Sequence, residues 1–125
     1  GSAVALKAIE VIMNDGLAEN VRRLTPYFEA HMRRLLEHPN IGEARGKGLM
    51  GALEAVQDKS NKTPFAANLS VSERIANTCT DHGLICRPLG QSIVLCPSFI
   101  FTENHIDEMF EKLECALKQV FAEIA

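Results

Sequence analysis

The chemistry this sequence offers most openly is that of one guanidinium. In the stretch Gly83-Leu-Ile-Cys-Arg87-Pro-Leu-Gly90-Gln-Ser-Ile-Val-Leu-Cys-Pro97, two short apolar runs, Leu84–Cys86 and Ile93–Cys96, flank a connection built with glycine and proline. Arg87 stands where the first run meets that connection. A planar fork of N–H donors at the end of a strand can hold both oxygens of a carboxylate at once. The same residue can equally be a surface arginine bridging to a neighbouring acid. The other reactive residue types are scattered. Lys7, Lys47, Lys59, Lys62, Lys112 and Lys118 share no common motif. Arg45-Gly-Lys-Gly48 lacks the long glycine spacing and the Lys-Ser/Thr pair of a phosphate loop, and reads as glycines bending a small sheet. Arg45 itself is a candidate for pairing with an acid across an interface. His31 and His105 fall within helical patterns and His38 and His82 near helix ends, places suited to surface or capping roles. Cys79, Cys86, Cys96 and Cys115 follow no metal-ligand spacing; three have apolar neighbours, as packed, reduced thiols would.

Elements that would position Arg87 follow from periodicity. Residues 2–14 carry Val4, Ile9, Ile12 and Met13 on one helical stripe, and Asn14-Asp15-Gly16 supplies a stop. A second helix is predicted from Leu17 to Glu37, with a kink and no break at Pro26 because the apolar spacing continues across it. Glycine-interrupted alternation then predicts strands at 42–46 and 49–56, followed by a polar surface loop over 58–68. Ser70-Val-Ser-Glu73 has the pattern of a capping box and opens a helix to about Asp81, which Gly83 closes. Strands over the two apolar runs around Arg87 follow. Thr102 caps a final helix whose stripe is Ile106, Phe110, Leu113, Leu117, Phe121 and Ile124. The order α-α-β-β-α-β-β-α predicts an α+β fold, with helices covering one face of a small, mainly antiparallel sheet.

The chain has 125 residues, 46% hydrophobic and 23% charged, with mean hydropathy near zero, so one globular domain is expected. A formal net charge of -3 supplies no field for nucleic acid, and no apolar run reaches the roughly 20 residues that span a bilayer. The cysteine usage favours a reducing, cytoplasmic setting. Gly1-Ser2 suits a cloning scar, and the chain reads as though it starts mid-protein.

Four pieces in fixed order carry a family resemblance: Glu43-Ala-Arg-Gly-Lys-Gly-Leu-Met-Gly-Ala-Leu-Glu54, Gly83-Leu-Ile-Cys-Arg-Pro-Leu-Gly90, Ile93-Val-Leu-Cys-Pro-Ser-Phe-Ile100, and Thr102-Glu with Ile106-Asp-Glu. Together they resemble the C-terminal small domain of class III aminotransferases, fold-type I enzymes that use pyridoxal phosphate, with the best match in the amine–pyruvate (omega-transaminase) branch. The resemblance implies that residues 1–125 are that small domain and that 1–14 end an interdomain helix. It implies that Arg87 binds the substrate carboxylate and swings aside for an apolar group. The Schiff-base lysine, the acid at the pyridinium nitrogen and the phosphate cradle would lie upstream. These 125 residues would then supply no catalytic or cofactor-binding residue, hold no pyridoxal phosphate or metal, and be inactive alone. The parent protein would be a homodimer moving an amino group between an amine or amino acid and a keto acid such as pyruvate, with the large domain as this chain's partner. Many relatives have Pro-Pro where this chain has Pro97-Ser98, which predicts a looser turn. Two other functions fit the residues alone: a free-standing module that binds a small acid through Arg87, and a structural interaction domain.

Overall fold

A computed structural model describes residues 1–125. In chain order it comprises α1 (Ser2–Asn14), α2 (Leu17–Leu35), β1 (Ile41–Lys47), β2 (Met50–Ala55), a 3-10 turn (Ala67–Leu69), α3 (Val71–Asp81), β3 (Arg87–Leu89), β4 (Ser92–Leu95) and α4 (Glu103–Ile124). The four strands form one fully antiparallel sheet in the order β1-β2-β4-β3. The expected α+β architecture is the one observed, with α2 and α3 on the inner face and α4 packed against both.

Side-chain alternation along the strands decides that face. Leu53, Ile93 and Leu95 point inward and are almost fully buried, meeting Leu24, Phe28, Ile75 and Phe110 from the helices. Phe28 and Phe110 pack with ring centroids 5.5 Å apart. Gly51 makes the close approach of α2 to the sheet possible: a methyl group there would stand 2.8 Å from Met32 Cε and 3.0 Å from the Phe28 ring. α2 runs through Pro26 unbroken, because four buried residues (Leu24, Phe28, Met32 and Leu35) hold its stripe against the core on both sides of the proline. α1 has no buried residue and stands off the body, turning into α2 at Gly16, where φ is +64°.

Three expectations need correction. Leu84–Cys86 is not a strand. The chain there is still crossing the end of α3, and pairing starts only at Arg87, because Gly90-Gln91 forms a tight two-residue turn that pairs Leu89 with Ser92. Gly90 adopts φ +59°, as a two-residue hairpin demands of its first central position. The Ser70–Glu73 capping box does not form. Ser70 comes out of the 3-10 turn with φ +47°, and its hydroxyl caps nothing. Lastly, the 58–68 loop is not all surface. Asp58 folds it by accepting from Ser60 N–H (2.9 Å), and Phe65 turns inward to stack on Phe121 at 6.0 Å.

Candidate functional site

Arg87 is the first residue of an edge strand that pairs only with β4. Two sequence features fix its backbone. The following Pro88 biases Arg87 to extended geometry. In a two-residue hairpin, hydrogen-bonded and non-bonded pairs alternate away from the turn. Leu89–Ser92 is the bonded pair and Pro88–Ile93 the non-bonded one, so the missing proline N–H lies on the open edge and no ladder bond is lost. The hairpin turn is anchored from below: Ser72, buried at 5% exposure, donates its hydroxyl to the Gly90 carbonyl at 2.6 Å. Nothing local in the sequence signals this partner 18 residues away.

The pairing register places Arg87, Val94, Ala52 and Arg45 in one row across the sheet, on the face away from the helices. Three strand spacings, about 14 Å in all, separate the two arginine backbones. Small apolar side chains make the floor between them. The two guanidiniums differ sharply in their surroundings. Arg45 is held at 3.3 Å by Glu54 and 3.5 Å by Glu43, and reaches Ser92 Oγ at 3.4 Å. It therefore pairs inside its own sheet, with Glu43 on β1, Glu54 on β2 and Ser92 on β4. Arg87 is exposed and enters none of the ion pairs of this chain, whereas Arg22, Arg23, Arg34 and Arg74 each meet a glutamate. A cation without an internal partner keeps its full fork of donors for an incoming anion. The main surface grooves lie elsewhere, one of them along Val4, Lys7, Val11 and Ile12 of α1, and Arg87 stands on the open sheet face.

The remaining candidates separate in space. Lys7 and Lys112 pair with Glu10 (3.4 Å) and Glu108 (2.9 Å) on helix surfaces. Lys59 donates to the Leu36 carbonyl, and Lys47, Lys62 and Lys118 are exposed. His105 closes a capping box on Thr102: Thr102 N–H donates to His105 Nδ1 at 3.0 Å and the Thr102 hydroxyl accepts from His105 N–H. His31 lies 2.9 Å from Asp107, which also accepts from the Tyr27 hydroxyl. That Tyr27 bond, more than the neighbouring His31, holds the Asp107 carboxyl below its usual range; the same bond raises the Tyr27 hydroxyl. Ser98 organises the turn after β4, accepting from Phe101 N–H at 3.1 Å, and Asn20 ties the same turn to α2 through the Phe101 carbonyl at 3.0 Å. No three His, Cys, Asp or Glu side chains converge as metal ligands would, and no helix is long and apolar enough to cross a membrane.

Comparison with known proteins gives consistent matches. A family model described as aminotransferase class-III matches residues 1–117. An uncharacterized aminotransferase of Sinorhizobium fredii is 34% identical over 99% of the chain and 27% of its own length. The putrescine–pyruvate aminotransferase of Pseudomonas aeruginosa is 32% identical, over 98% of the chain and 27% of its length. Among solved structures, a PMP-bound aminotransferase from Vibrio fluvialis is 72% identical with a TM-score of 0.95. An omega-aminotransferase from Paracoccus denitrificans is 75% identical, also with a TM-score of 0.95. Each structure is matched over 98% of this chain and 27% of its own. The chain thus spans about a quarter of the length of the relatives it matches.

Proposed function

Since this chain belongs to the class III aminotransferases, we propose that it is the C-terminal small domain of a transaminase and supplies the carboxylate clamp of its substrate pocket. In this reading residues 1–125 form one domain and residues 1–14 end an interdomain helix. Arg87 takes the carboxylate of a keto acid such as pyruvate, or of an amino acid, with two parallel N–H···O bonds. When the substrate presents an apolar group, the side chain swings back to water, and its charge is never stranded in a dry site. The observation carrying this reading is the contrast between Arg45, neutralised by two glutamates, and Arg87, exposed and unpaired on the same open face. The putrescine–pyruvate relative supports an amine donor and pyruvate as acceptor.

Pyridoxal phosphate, when bound, supplies the carbonyl that carries the amino group between substrates. The residues of this chain do not fit the task of holding it. Its lysines are on the surface or ion-paired, and none stands in an enclosed pocket beside an acid. The cofactor site therefore belongs to the large domain, the proposed partner of the open sheet face and of α1. The complete protein is proposed to be a homodimer in the cytoplasm, a setting in keeping with four unbridged cysteines.

Arg87→Ala in the full-length protein tests the clamp. Losing a pair of charge-assisted bonds, worth about 1.5–3 kcal/mol, raises KM for pyruvate roughly 10- to 100-fold and leaves KM for a simple amine nearly unchanged. An unaltered pyruvate KM removes Arg87 from substrate binding.

A further inference from the structure

β3 is weakly seated in the sheet. None of its three side chains is buried, whereas β4 beside it buries Ser92, Ile93 and Leu95. β4 is also its one sheet neighbour. A hairpin arm this short, with no apolar grip of its own, opens easily. The tip is where it is held. The Ser72 hydroxyl donates to the Gly90 carbonyl, and Ala55 N–H, at the end of β2, donates to the Gln91 carbonyl at 3.0 Å. The Ala55 bond fixes the β4 side of the turn. The Ser72 bond fixes Gly90, the residue that follows β3 directly. Ser72 is itself firmly placed, because Val71, Ile75 and Cys79 seat α3 in the core. Among the side-chain hydrogen bonds of α3, this one reaches the hairpin, while Arg74 reaches Glu123 on α4 and Thr80 bonds within the helix.

We propose that Ser72 is a positioning residue for Arg87: by tying the hairpin tip to α3, it sets where the guanidinium stands on the open face. The inference rests on the reading of Arg87 as the carboxylate clamp. Pro88 and Leu89 alone separate Arg87 from Gly90, a span of about 10 Å of extended chain, so a shift at the tip is carried along the strand to the arginine. A two-pronged grip on a carboxylate tolerates little displacement. Both N–H···O bonds stay linear only while the fork holds its place to within about 0.5 Å. Ser72, buried under the hairpin, touches no substrate and acts through the backbone of β3. A substrate that presents an apolar group makes no use of the fork. The hydroxyl of Ser72 therefore favours acids over simple amines.

Ser72→Ala, Arg87→Ala and the double variant of the full-length protein are assayed with pyruvate and with a simple amine. Thr80→Ala is the matched control, since its hydroxyl donates to the Ala76 carbonyl at 3.1 Å on the same helix and has no tie to the hairpin. Losing one hydrogen bond should raise the pyruvate KM of Ser72→Ala roughly 2- to 10-fold, with the amine KM and kcat unchanged. Thr80→Ala should behave as wild type. In the Arg87→Ala background, Ser72→Ala should add nothing, because it acts through that guanidinium. Deuterium uptake over residues 84–92 should be faster in Ser72→Ala, with the rest of the chain as in wild type. A pyruvate KM unchanged by Ser72→Ala but raised by Arg87→Ala overturns the positioning role and leaves the clamp standing. A pyruvate KM unaltered by Arg87→Ala overturns the clamp, and this inference with it. Equal rises in both KM values, a further rise in the double variant, the same effect from Thr80→Ala, or unchanged uptake over 84–92 each overturn the positioning role as well.

Discussion

Arg45 and Arg87 occupy the same row of the same sheet face, and only their neighbours distinguish them. Arg45 faces glutamates on its own strand and on β2; Arg87, on the opposite edge, faces valine and open solvent. The sequence singled out Arg87 through its turn and its resemblance, and did not show that Arg45 would be neutralised locally. Across the molecule, Asp107 is a second example of chemistry set by neighbours from afar. Tyr27 and His31, on α2, both converge on this one carboxylate of α4. The folded state lowers the Asp107 pKa, so its stabilising contribution is complete above the unfolded value, about 4, and is lost as pH falls through the lower folded value. Asp107→Asn should therefore unfold at lower urea than wild type at neutral pH, and the difference should shrink once the pH drops below about 4. Equal midpoints at neutral pH would show that the α2–α4 clasp contributes nothing.

The elements show where local signals suffice. α4 begins as expected at Thr102, though the return bond comes from His105 and not from an acid. Thr102→Ala should cost about 1 kcal/mol, read as a lower denaturation midpoint. α3 gives the opposite result. Its serine at the same formal position sits at φ +47° with no cap bond. Ser70→Gly, which suits a left-handed backbone, should leave the midpoint no lower. A midpoint drop for Ser70→Gly comparable to that for Thr102→Ala would show a cap the geometry does not contain. The two helix starts looked alike in sequence, both a hydroxyl residue before an apolar-periodic run. What separates them is the 3-10 turn Ala67–Leu69, which delivers the chain to Ser70 at an angle no four-residue pattern encodes.

At the scale of the whole molecule, apolar surface is unevenly covered. The core closes over α2, α3, α4 and one sheet face, while Val4 is 71%, Leu6 69% and Met13 76% exposed on α1. The 125-residue chain alone should therefore self-associate through α1, its mean mass by light scattering rising with concentration. Val4→Lys with Leu6→Lys should suppress that rise, and a wild-type chain monomeric throughout would show that α1 does not drive association. The sequence by itself determined the element order, the helix stripes, the hairpin glycines and the α+β class, because each is written in spacings of two to four residues, the range over which strand and helix geometry act. The tertiary structure alone decided which of the two arginines on the open sheet face is left without a partner, and that Ser72 anchors the Gly90 turn. Those outcomes depend on strand register and on which helix meets the hairpin, and both are fixed only when distant segments pack together.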